Sequence, residues 1–379
     1  MKHIGLVLVA VVALASAPRA QSDYDQMIKT GINQIYNIQF DDAAETFRAV
    51  IAKYPENPSG RFFLAMIDWW KIMLDLKSED NDDVFFKKID DVIFQCDEIL
   101  EKNPDDVNAL FFKGGAIGFR GRLRVLRESW LKAVDDGREA LPIVQRAAEL
   151  DPDNPDVQLG FGIYNYYAAV VPEKYPEVEP MMMFFPEGDK QEGLDQLEFV
   201  ATEGRYAKYE AQYFLMTLNY SFEDDPYKAE EYATGLIERF PNNPVFERWD
   251  GKIAMRQGKV YTAARRYQSI YEKVQSGMPG YNLRAEREST YYIGVHKKNA
   301  REVDSAMYYL NKCVSASREM NPDDESGFLI NSLLYLGNLY DVKGERERAK
   351  EFYQKVLDMR EYRKSRNLAE SYLDKPFHY

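Results

Sequence analysis

Polar punctuation recurs along this chain between amphipathic runs. The stretches AKYPENPSG at 52–60, LEKNPDDVN at 100–108, AELDPDNPD at 148–156, IERFPNNPV at 237–245 and REMNPDDES at 318–326 each close one such run and open the next. Pro cannot continue a helix, whereas Asp or Asn caps the following one through its side-chain oxygen. The pattern predicts a succession of helices joined by short turns. The 148–156 stretch is acidic enough to be tested as a calcium loop. Such a loop needs alternating oxygen ligands, Gly at its sixth position and Glu at its twelfth. Counted from Asp151, those places hold Asp156 and Gly162. The stretch is a helix boundary, and no metal site is expected.

Regular punctuation calls for internal repeats. Near the end of the chain, Leu333, Leu336, Gly337 and Tyr340 precede Gly344, Ala349, Tyr353 and Val356. Gly294, Ala306, Leu310 and Cys313 keep the same spacing, as do Gly251, Ala254, Gly258, Ala263, Tyr267 and Ile270. Tyr213, Met216, Tyr220, Ala229, Ala233, Leu236 and Pro241 make another copy, with Thr217 at the place of the Gly. Towards the N-terminus, Gly31, Ala43, Phe47, Val50 and Pro55 fit one repeat, and Val92, Cys96, Ile99 and Pro104 fit the second helix of another, whose first helix is expected over 59–76. Ala140, Val144, Ala147 and Pro152 fit a third; Gly160 opens a fourth, closed after an insertion by Gly193, Leu197 and Val200.

The spacing resembles the tetratricopeptide repeat, a 34-residue pair of antiparallel helices in which a small residue lets the first helix approach the second. The resemblance implies an all-α fold: a right-handed superhelical solenoid of about eight antiparallel helix pairs over 21–357, with a groove lined mainly by first helices. Residues 358–379 are read as a helical cap or tail. In peptide-clamp members of the family, a Lys and an Asn on first helices hold a terminal carboxylate. The matching places here are Leu334 and Asn338, Arg248 and Lys252, and Val157 and Phe161. The clamp is not reproduced.

Two stretches depart from the pattern. Residues 171–191, VPEKYPEVEPMMMFFPEGDKQ, contain four prolines and are read as an insertion loop or flap carrying Met181, Met182, Met183, Phe184 and Phe185. The stretch 114–127, GGAIGFRGRLRVLR, gathers Arg120, Arg122, Arg124 and Arg127. These four are a candidate anion site, or else partners for neighbouring carboxylates.

Composition narrows the function. The chain has 379 residues, 45% of them apolar, and a formal charge of −13, which disfavours nucleic acid. The first 20 residues, MKHIGLVLVAVVALASAPRA, have a basic start, a short apolar run and small residues before Ala20, the pattern of a secretory signal. An exported protein is expected, periplasmic or secreted, with no transmembrane segment in the mature chain. Cys96 and Cys313 fall on core-facing positions of distant repeats and are expected to be free thiols, because a disulfide needs Cα atoms within about 7 Å.

Nothing assembles into catalytic machinery. Past the leader the only histidines are His296 and His378, and no phosphate-binding glycine loop occurs. The chain is not expected to be an enzyme or to need a cofactor. The expected role is an adaptor or scaffold that binds a protein or peptide of the cell envelope in its concave groove. Candidate groove residues are Phe161, Tyr164, Tyr167, Arg248, Lys252, Tyr291 and Asn338. The alternative is a small-ligand or glycan-binding protein in which Tyr164, Tyr166 and Tyr167 act beneath the 171–191 flap.

Overall fold

The computed structural model describes residues 17–175, 185–323 and 325–379. Among the described residues it is all helical, with seventeen α-helices and no strand. They are α1 Ala17–Tyr36, α2 Phe40–Lys53, α3 Ser59–Leu74, α4 Asp82–Lys102, α5 Val107–Leu126, α6 Trp130–Leu150, α7 Gln158–Lys174, α8 Lys190–Glu203, α9 Lys208–Ser221, α10 Pro226–Arg239, α11 Pro244–Arg256, α12 Val260–Gln275, α13 Leu283–Asn299, α14 Val303–Met320, α15 Gly327–Val342, α16 Arg346–Leu357 and α17 Ser365–Asp374. They fall into eight sequential pairs and one extra helix. The chain forms two compact units, Met1–Phe214 and Leu215–Tyr379, whose junction lies inside α9.

Within each unit a helix packs on its sequence neighbour: α1 on α2, α3 on α4, α5 on α6 and α7 on α8 in one, α11 on α12, α13 on α14 and α15 on α16 in the other. Most of the expected small residues sit where paired helices meet; Gly160 instead faces Val144 of α6, and Gly162 makes the close approach to Leu197 of α8. A Cβ added at Gly251 would lie 2.7 Å from the Tyr267 ring, and one at Gly294 would lie 2.8 Å from Leu310 Cγ. Tyr267, Leu310 and Tyr353, the large partners, are fully buried. Prolines open α10 and α11, with Asp225 and Asn243 as caps that each accept two backbone N–H bonds.

The acidic stretch at 148–156 ends on a residue with a definite task. Asp156 is buried, and its carboxylate accepts the backbone N–H groups of Arg205 (2.8 Å), Tyr206 (3.1 Å) and Ala207 (3.2 Å) just before α9. It thus serves the start of a helix fifty residues away. Burial raises its pKa, against the pull of those backbone bonds. Among the described residues no cluster of metal-binding side chains occurs, and no helix is long and apolar enough to cross a membrane.

The insertion begins later than the prolines suggest. α7 continues through Pro172 to Lys174, so residues 171–174 are helical. Pro172 lies in the last turn, where its missing N–H and its ring disturb only one bond before the helix stops. Met181, Met182, Met183 and Phe184 lie outside the described residues. Phe185 lies within them, half-buried, with its ring 6.3 Å from that of Tyr164, whose hydroxyl donates to the Pro186 carbonyl at 2.5 Å. The first helix expected over 59–76 ends at Leu74, because Asp75 leaves the helical conformation (φ −142°).

Candidate interaction surface on the first helices

In the C-terminal unit the first helices of three consecutive pairs carry cations and aromatic rings on shared faces. On α13, steps of three, four and seven from Arg284 lead to Arg287, Glu288 and Tyr291, and seven more to Lys298. On α11, Arg248 and Lys252 are four apart; on α15, Phe328, Asn331 and Tyr335 follow the same rule.

Glu288 joins two of these helices. Arg248 donates to both of its oxygens, from Nε at 3.0 Å and Nη2 at 2.7 Å, and Arg284 Nε donates at 3.3 Å. Lys252 Nζ lies 3.9 Å away. Burial alone would raise the pKa of Glu288, but Arg248, Lys252 and Arg284 outweigh it and hold the carboxylate well below its ordinary range. Burial lowers the pKa of Lys252; Glu288 opposes the shift and the neighbouring arginines add to it. Lys252 also lies 5.0 Å over the ring of Trp249. The bidentate Arg248–Glu288 pair fixes α11 against α13, and its geometry is the strong, planar kind.

The aromatic part adjoins it. The Tyr291 ring meets Phe328 edge to face at 5.2 Å and stacks with Tyr335 at 6.5 Å; its hydroxyl accepts a bond from Asn331 at 3.3 Å. Arg287 lies 5.2 Å from the Phe328 ring centre. Burial keeps the Tyr291 phenol protonated, well above the usual range, and pushes Tyr292 up to about 12. Tyr291, Phe328, Asn331 and Tyr335 all keep part of their surface exposed. The arrangement can stack on rings and hydrogen-bond to a chain laid across it.

Two segments of this chain, residues 29–67 and 331–359, match profiles of the tetratricopeptide repeat. Over these two segments the chain is similar to the tetratricopeptide repeat. No curated protein matches it. Among solved structures it is similar to the human IFIT1 dimer with PPP-AAAA (14% identity over 85% of this chain and 69% of that one, TM-score 0.41). It is also similar to the C-terminal part of a TPR repeat-containing protein from Cytophaga hutchinsonii (16%, 81% and 99%, TM-score 0.37) and to yeast Tom70 (12%, 95% and 83%, TM-score 0.40). At such identities nothing about a ligand follows.

The fold places the expected groove residues variously. Lys252 and Tyr291 keep part of their surface exposed in the arrangement just described, whereas Arg248 is buried in its pair with Glu288. Asn338 is buried and turned towards its own repeat partner, donating to the Tyr353 hydroxyl at 3.1 Å. Phe161 packs, partly buried, against a core of Leu110, Ala147 and Val157. Tyr164 is bonded to the returning connection as above, and Tyr167 lies edge to face with the buried Tyr166 at 5.5 Å. Glu288, Arg284, Arg287, Phe328, Asn331, Tyr335 and Lys298 escaped the sequence reading. Stepping the helical period from Tyr291 in both directions finds those on α13, but nothing local marks Glu288 as the shared partner of Arg248.

The arginines of 114–127 each meet partners within the N-terminal unit. Arg120 donates to Asp136, Asp90 and Glu139, and Arg124 pairs with Asp136 at 2.6 Å. Arg127 takes both oxygens of Asp82 and the carbonyls of Leu76 and Ser78. Arg122 bonds Glu210 at 2.5 Å and lies between the rings of Trp69 (4.6 Å) and Phe214 (4.4 Å). Tyr36 donates to the same Glu210, and Tyr206 donates to Asp25, so α1 reaches the region of α9. His296 is half-buried, 6.1 Å edge to face from Tyr261.

Proposed function

We propose that this chain is an exported, non-catalytic adaptor that holds an extended polypeptide segment along the first-helix face of α11, α13 and α15. The repeat fold supports a protein-interaction scaffold. The finer reading is carried by one observation: partly exposed Tyr291, Phe328 and Tyr335 share three successive first helices with partly exposed Lys252 and Arg284, while Arg248 and Arg287 are buried beneath them. Rings supply area at little entropic cost, and planar cations orient a chain. Export is supported by the leader-like residues 1–20.

A peptide library displayed against the full chain tests the surface. Enriched peptides should lose at least about 2 kcal/mol of binding to a Tyr291→Ala, Tyr335→Ala double variant, the scale of an interface hot spot. Unchanged capture by a folded double variant would move the binding surface elsewhere. Export is tested by intact mass: a mature chain starting near Gln21 in an exported fraction is expected, and Met1 retained on a cytoplasmic product would sink that part.

A further inference from the structure

The end of the first-helix face already holds a peptide-like segment. After α17 stops at Asp374, Lys375 is extended (φ −125°, ψ 126°), as a residue before Pro must be. Pro376 turns the chain back towards α15. The Phe377 N–H then donates to Asp341 Oδ2 at 2.8 Å. The Asp341 side chain is wholly enclosed and is fixed by Arg346 Nη1 at 2.9 and 3.1 Å and by the Tyr353 hydroxyl at 2.7 Å. Arg346 Nη2 also donates to the Leu373 carbonyl at 2.6 Å, so one guanidinium sets both the acceptor and the exit of the segment.

Past that bond, Phe377 and Tyr379, two residues apart, meet edge to face at 5.6 Å. Both rings lie over Lys298 of α13, at 4.5 and 5.7 Å, and Arg301 lies 5.2 Å from the Tyr379 ring. The Tyr335 ring closes another side of Lys298 at 5.1 Å. Lys298 is 9% exposed, and its ammonium faces the rings of Tyr335, Phe377 and Tyr379. A desolvated ammonium against aromatic faces is an attractive arrangement that no carboxylate shares here. The pieces divide the work of recognition. A buried carboxylate that accepts a main-chain N–H takes any extended peptide, and a cation walled by Tyr335 selects two rings spaced by one residue.

We propose that Asp341, Lys298 and Tyr335 form a binding site for an extended peptide with aromatic side chains two residues apart, occupied in cis by Phe377–Tyr379. The site lies at one end of the surface proposed above and rests on that reading for its role: a partner segment of this chemistry would displace the chain's own.

The test uses a fluorophore-labelled acetyl-Lys-Pro-Phe-His-Tyr-amide peptide, the full chain, and the chain lacking 375–379. A short tether gives an effective concentration on the order of mM, so the cis segment should compete strongly. The shortened chain should bind the peptide saturably, and the full chain at least about 10-fold more weakly. Lys298→Ala in the shortened chain should abolish binding, whereas Lys312→Ala should not. If the shortened chain does not fold, the full chain with Phe377→Ala and Tyr379→Ala, in which only the main-chain bond to Asp341 still competes, should bind the peptide more tightly than the native full chain. Equal binding by full and ring-free chains, or none by a folded ring-free chain, would overturn the site. So would a full-length dimer that the deletion converts to monomer, which would assign the segment to a second copy. Tyr291→Ala alone with other peptides separates the two readings, because Tyr291 is not one of the residues of the Asp341, Lys298 and Tyr335 site.

Discussion

At Gly337 the absence of one methyl group sets how closely two helices approach. A Cβ there would lie 2.5 Å from Tyr353 Cε1, and the ring cannot retreat, because its hydroxyl donates to Asp341 and accepts from Asn338. Gly337→Ala gains about 1 kcal/mol of helix propensity and loses about 1–3 kcal/mol to overpacking. Net destabilisation is expected, with Gly337→Leu worse, measured by urea denaturation. Gly235→Ala is the control: its Cβ would meet nothing within 4 Å, so propensity alone should act and stabilise. Glu288 gives a pH prediction with a definite sign. Its folded pKa is depressed, so its stabilisation is complete above the ordinary Glu value and drains as pH falls below about 4.3. Between pH 7 and pH 3 the stability advantage of the native chain over Glu288→Gln should shrink by roughly 2 kcal/mol. A constant difference across that range would mean that the carboxylate is not held by its cations. Gly337 was legible from spacing because a repeat writes its contacts at fixed offsets. Glu288 was not, since forty residues separate it from Arg248.

At the scale of elements, the turn at 205–207 depends on Asp156. Asp156→Ala leaves three backbone donors without that acceptor, and about 1–3 kcal/mol of stability should go with them. Hydrogen exchange at the 205–207 amides should accelerate ahead of global unfolding; unchanged protection would place the capping elsewhere. The boundaries of most helices could be read from Pro, Asp and Asn, because capping is local chemistry. The end of α7 could not. A proline near a helix end is tolerated or not according to how much helix must follow, and packing sets that.

For the whole molecule, the two cysteines are buried and not joined in a disulfide, Cys96 in one unit and Cys313 in the other. Both should titrate as thiols after unfolding without reductant. In the native protein Cys96 should stay unreactive at neutral pH, since burial, aided by Asp97, pushes its thiol up to about 12. A protected pair in the unfolded chain would show a disulfide and contradict this arrangement.

The sequence by itself determined the helix pairs, their number and the glycine contacts within them, because these depend on residues a few to about twenty positions apart. It also carried the leader-like pattern at 1–20 and the shortage of histidine. Only the tertiary structure decided the use of the charges and rings. Arg120, Arg122, Arg124 and Arg127 met carboxylates within their own unit, Asn338 turned to its repeat partner, and Phe377 returned to Asp341. Helical period says which face a side chain shares, but the group opposite it comes from another helix. Whether a cation is compensated or a ring is covered is therefore settled by packing between elements, which no local pattern records.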